Sequence, residues 1–153
     1  MTAPILTPTE AYAYLSKSIP EIEKGKGALL SLCKWIADWD KTLGNNEKIM
    51  CYRRDTSRKN IGYVIDRDDN LSKVHKPRFF IVKHPGTDRD KEFRKDLLLD
   101  FYFGSRSVPP ILDSVLVQRP SNPASWIIRS YDFQKLTLDG LIKYVKYAYK
   151  SRA

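Results

Sequence analysis

The sequence predicts an α+β fold: a single domain, residues 1–153, on a mixed or antiparallel sheet of about five strands flanked by helices, in the order α-α-β-β-β-α-β-β-α. Three observations carry that expectation. The chain has 153 residues, of which 42% are hydrophobic and 29% charged, enough to bury a core without staples and too apolar for bulk disorder. Apolar residues recur at three- and four-residue steps towards both ends and alternate in the middle. No composition break, internal repeat or low-complexity tract marks a linker.

The elements follow in order. Thr7, Pro8 and Glu10 make a capping box with proline at the first helical position, opening a helix to about Ile19 that Pro20 ends. A second helix carries Leu29, Leu32, Cys33, Ile36, Trp39 and Leu43 on one face, and Gly44 supplies its stop. Trp35 falls off that stripe and is expected either on the surface or under the first helix. "EKIMCYRRD" and "KNIGYVIDRD" alternate as strands, and "DTSRKN" between them is rich in turn formers, so a β-hairpin joins them. "RFFIVKH" is a third strand, ended by Pro85-Gly86. "TDRDKEFRKDLLLDFYFG" reads as a helix capped by Thr87 or Asp88, with Phe93, Leu97 and Phe101 inward and Leu98 a further candidate for that face, although its end "LLLDFYF" also suits a strand. "ILDSVLVQR" and "SWIIRSYDF" are strands, and "LTLDGLIKYVKYAYKSR" is a terminal helix with Leu138, Leu141, Ile142, Val145 and Tyr149 inward.

Several function classes are disfavoured at once. No apolar run reaches the roughly 18 residues of a membrane span, so no membrane partner is expected. "MTAPILTPTEAYAYL" lacks the basic and apolar regions of a signal peptide, which leads to an intracellular, cytoplasmic expectation. Cys33 and Cys51 read as reduced packing residues rather than a disulfide or metal pair. His75 and His84 have no partner at zinc-ligand spacing. Gly25-Lys26-Gly27 resembles part of a phosphate-binding loop but lacks the preceding strand and the glycine-lysine-hydroxyl ending. No metal site and no cofactor are expected outside the nuclease reading below.

Charge is the informative feature. The net charge is +9, and it is segregated: residues 48–62 hold five bases and one acid, and residues 101–153 hold eight bases and three acids. Localised positive charge attracts polyanions by counterion release, whatever their sequence. The expected function is nucleic-acid binding through backbone phosphates. The candidate contacts are Arg53, Arg54, Arg58 and Lys59 at the hairpin tip, Lys73, Lys76 and Arg78 in the next loop, and Lys143, Lys146, Tyr147 and Lys150 on the terminal helix. Guanidinium forks match phosphate oxygens, and Tyr among Lys suits single strands, where bases stack while phosphates are neutralised.

Asp66 closes the second predicted strand and Lys83 lies near the end of the third. With the order α-β-β-β-α-β, this resembles the restriction-endonuclease-like nucleases. The resemblance implies carboxylate-held Mg²⁺, with Asp66 as a ligand and Lys83 activating water. Ile81 stands where that family's second acid belongs, a departure from its pattern. A third reading is a protein-binding inhibitor or assembly module whose basic patch meets an acidic protein.

Overall fold

Seven strands pair antiparallel throughout and carry three helices on one face. The structure is a computed structural model and describes residues 5–44, 47–54, 59–67, 78–103 and 115–152. In chain order the elements are β1 (Ile5–Leu6), α1 (Pro8–Ser18), α2 (Lys26–Asp40), β2 (Glu47–Arg54), β3 (Asn60–Arg67), β4 (Arg78–Lys83), β5 (Leu98–Tyr102), β6 (Val117–Arg119), β7 (Asn122–Arg129) and α3 (Leu138–Arg152). The sheet order is β1-β2-β3-β4-β5-β7-β6, so β2 to β5 form a meander and the β6–β7 hairpin folds back with β7 against β5.

The fold class is as expected, with seven strands rather than five. One addition is the two-residue β1 on the β2 edge. The other corrects the reading of residues 87–103 as a helix. Only Lys91–Phe93 form a turn of 3₁₀ helix, and Leu98–Tyr102 are a strand. The physical reason is the side-chain period. Leu97, Leu99, Phe101 and Phe103 enter the main core, while Leu98 turns to a second small core with Phe93 and Ile127. A strand buried on both faces reads as a continuous apolar run, the pattern that periodicity cannot assign.

The local signals at the N-terminus act as expected. The Thr7 hydroxyl accepts from the Glu10 amide at 3.1 Å, and the Glu10 carboxylate accepts from the Thr7 amide at 2.9 Å, closing the box that sets the start of α1. Gly25 enters α2 with φ of 86°. A Cβ there would fall 2.6 Å from Phe133 and 2.7 Å from the Ser130 carbonyl, so glycine is needed for both conformation and space. The adjacent Lys26 is buried and donates to the Ser16 carbonyl at 2.9 Å and to Glu21 at 2.8 Å. The Gly-Lys-Gly piece therefore staples α1 to α2.

The helices cover Ile49, Cys51, Ile61, Tyr63, Phe80, Val82, Leu99 and Phe101. Aromatic contacts fix α3 in place: Tyr144 on Phe101, Tyr147 on Phe103 and Tyr149 on Phe79, at centroid distances of 5.8, 5.2 and 5.4 Å. Cys33 and Cys51 are free and fully buried in this core, and burial pushes the Cys33 thiol up to about 12. A register shift between Tyr63 and Val64 sets Val64 opposite Arg78. Phe79 and Phe80 both stay in the main core, and Arg78 turns to the other face, its guanidinium 4.5 Å above the Tyr102 ring. Among the described residues no helix is long and apolar enough to cross a membrane.

Candidate functional site

The expected contact residues fall into three places. Arg53, Arg54 and Lys59 lie at the β2–β3 hairpin tip. Arg53 is half-buried with its guanidinium 4.6 Å above the Tyr14 ring of α1, and Lys59 is exposed. Arg54 ends β2 opposite Asn60. Arg58, Lys73 and Lys76 lie outside the described residues. Arg78 starts β4, level with Val64, whereas the hairpin tip lies level with the end of β4. Arg78 therefore sits at the opposite end of the strands from the tip, on the face away from the helices.

The terminal helix presents the third group. Lys143, Lys146 and Lys150 are all exposed on one side of α3, and none is ion-paired among the described residues. Spacings of three and four put them in one row. Tyr147 is half-buried against Phe103, so its ring belongs to the packing. The aromatic surface beside the lysines comes from α2 instead. Trp35 is half-buried, stacked on Trp39 at 5.2 Å, and the Lys146 ammonium lies 5.5 Å over its ring. Lys34 is exposed on the same helix as Trp35.

Behind the hairpin tip lies a histidine that the sequence pointed to only weakly. His84 follows β4 and is buried. Its backbone amide donates to Asn60 Oδ1 at 2.7 Å, and its carbonyl accepts from the Thr87 hydroxyl at 2.6 Å. Its Nε2 is 2.8 Å from Ser18 Oγ, while Nδ1 finds no hydrogen-bond partner among the described residues. That pattern assigns the proton to Nε2, with Ser18 accepting, because an orphaned buried N–H is the costlier arrangement. In this tautomer the ring cannot take a proton from Ser18, so the pair lacks the polarity of a nucleophile and its base. Burial, then the Lys59 and Arg53 charges, lower the imidazole to about 4.

The two nuclease candidates are not brought together. Asp66 pairs across the sheet with Lys48 near the far end of β3, and Lys83 follows Val82, which pairs with Ile61. About six strand residues separate them, roughly 20 Å along the sheet. They cannot share a metal ion, which corrects the assignment of Asp66 and Lys83 to one site. Among the described residues no cluster of three or more His, Cys, Asp or Glu is arranged to hold a metal.

Lys83 has other company. It donates to Asp88 at 2.8 Å and lies 3.9 Å from Asp100. Arg119, 1% exposed, donates to both Asp88 oxygens at 2.9 Å, to Asp100 at 3.2 Å and, by a short bond, to Asp90. Ser125 donates to Asp100 at 2.6 Å. Burial pushes the Asp88 carboxyl up, but the Arg119 and Lys83 hydrogen bonds outweigh it and hold this group well below the carboxylate range. Asp100 goes the other way: burial raises it, against Ser125, Lys83 and Arg119. Three carboxylates thus face two cations, and Asp100, completely buried, is the one whose proton affinity burial raises. Arg119 fills the space between the carboxylates, and the arrangement ties the segment after β4 onto the second face of the sheet. Sequence reasoning missed this network, though an Asp inside the apolar run "LLLDFYF" was its signal: a charge in a two-sided buried strand requires a partner.

Compared with protein-family models, with curated proteins and with solved structures, the chain matches none.

Proposed function

We propose that the protein binds nucleic acid through phosphate contacts along the solvent face of α3, with Trp35 of α2 at its margin. The observation that carries this reading is the row Lys143, Lys146 and Lys150, exposed and without a carboxylate partner among the described residues. Surface lysines normally stand among acids of mixed sign. α3 instead holds four bases, counting Arg152, and a single acid, Asp139, at its first turn. Such a row neutralises successive phosphates and releases their counterions. Trp35 at its margin carries the Lys146 ammonium over its ring, and a base that displaces this ammonium would stack there, so a single strand is the favoured ligand. Arg53 and Lys59 add positive potential on the same side of the sheet as the helices. Arg78, facing the other side, has no part in this surface.

The test is fluorescence anisotropy of a labelled single-stranded oligonucleotide with wild type and with Lys143→Gln/Lys146→Gln/Lys150→Gln. The triple variant is expected to bind at least about tenfold more weakly at low salt, with an unchanged circular-dichroism spectrum because the three side chains are exposed. Equal affinity in the two proteins would remove the α3 surface as the binding site. Absence of binding in both, with capture of an acidic protein, would leave the protein-binding module as the reading.

A further inference from the structure

A pocket of about 500 Å³ opens where the β6–β7 turn meets the segment after β4, with Arg89, Lys91, Arg94 and Ser121 in its wall. It is distinct from the α3 surface, which packs over β4 and β5. We propose that this pocket binds the phosphoryl group of a small ligand.

Three properties of the wall support that ligand chemistry. First, the cations are available: neither Arg89, Lys91 nor Arg94 is ion-paired to a carboxylate among the described residues. Second, the donors are held in place. Arg94 donates from Nε to the Asp88 carbonyl at 2.9 Å and from Nη2 to the Arg89 carbonyl at 2.8 Å. Arg89 reaches across the pocket to Ser121 Oγ at 3.1 Å, which ties the two sides together. Third, the acids present are partly spent. Asp90 is turned to Arg119, and Ser121 lies 3.5 Å from it. Glu92, also in the wall, is the carboxylate left facing solvent without a partner among the described residues. Guanidinium groups, an ammonium and a hydroxyl around one opening suit a tetrahedral oxyanion carrying nearly two charges. The pocket is open to solvent on its outer side, so an ester group on the phosphate has room to extend outwards. The Arg119 network beneath supplies a rigid floor, as preorganised binding requires.

The experiment is a titration of the full chain, followed by amide chemical shifts and by calorimetry, with inorganic phosphate, adenosine 5′-monophosphate and adenosine. The first two are expected to bind saturably and to shift the amides of residues 89–94 and 121, while adenosine leaves them in place. Tighter binding of the monophosphate than of phosphate identifies an ester as the ligand; equal binding identifies the free anion. Arg89→Gln/Lys91→Gln is expected to weaken phosphate binding about tenfold or more. Glu92→Gln is expected to tighten it about two- to fivefold, an opposite change that loss of folding cannot imitate. Absence of saturable shifts, shifts confined to other residues, or affinities that neither variant alters would overturn the proposal.

Discussion

His84 and Arg119 show at the scale of single residues how burial, rather than residue type, decides behaviour. Neutral His84 is required in the folded core, whereas the unfolded chain takes up a proton at ordinary histidine pH. Its folded value of about 4 lies below the ordinary 6.5. The stabilisation from the neutral ring is therefore complete above about pH 6.5 and is lost as pH falls towards 4, where the loss reaches about 3 kcal/mol. Urea midpoints at pH 7 and pH 5 should differ in wild type, and the difference should shrink in His84→Gln, which keeps a donor near Ser18 without the titration. An equal pH dependence in the two proteins would show that another group governs that window. Arg119 makes the opposite kind of prediction. Arg119→Met leaves Asp88, Asp90 and Asp100 facing one another and should cost about 3–5 kcal/mol in urea unfolding. Asp100→Asn should cost clearly less than Asp88→Asn. Burial already drives Asp100 towards its neutral form, and an amide retains an acceptor for Ser125, whereas Asp88 is the carboxylate that both cations require in ionised form.

Elements were legible where a local signal and the global fold agreed. The Thr7–Glu10 box closes locally by two hydrogen bonds, the stripe from Leu29 to Ile36 is one buried face, and Ile49, Cys51, Ile61, Tyr63 and Ile65 alternate into the main core, although Val64 is buried on the other side of β3. Residues 87–103 did not have one buried face. Phe93 and Leu98 enter one core while Leu97, Leu99 and Phe101 enter the other, and the spacing of Phe93, Leu97 and Phe101 mimics a helical stripe. The charged residues of the second face were illegible for a related reason: Lys83, Asp88 and Arg119 are buried only because they meet, and their meeting depends on strand register that the residues do not encode locally. The reverse holds for Gly25, whose role is purely local. Gly25→Ala should destabilise the chain by about 1–3 kcal/mol, since the left-handed conformation and the close approach of Phe133 both oppose a Cβ. Gly27→Ala, where a Cβ would meet nothing within 4 Å, should be neutral or slightly stabilising. Thermal unfolding of the two variants separates the entry of α2 from its interior.

At the scale of the molecule, the cationic stretches of the sequence do not gather into one continuous surface. The hairpin tip and the α3 row lie on the helix side of the sheet, Arg78 points to the other side, and Arg89, Lys91 and Arg94 surround a separate pocket. A net charge of +9 is thus divided among patches, and only a small part of it can act on one ligand strand. This limits the salt dependence. The row from Lys143 to Lys150 covers about 10 Å of helix, enough for a few phosphates of a single strand. Each phosphate neutralised on a single strand contributes about 0.7 to the slope of log K against log salt. Replacing the three lysines by glutamine should therefore reduce the magnitude of that slope by about 2. Salt screens cations farther from the strand than roughly 8–10 Å, so they add little either to the affinity or to the slope. Titrations with one oligonucleotide at four or five salt concentrations give both slopes directly. If the variant's slope equals that of wild type, the lysines neutralise no phosphates, and the strand runs elsewhere on the molecule.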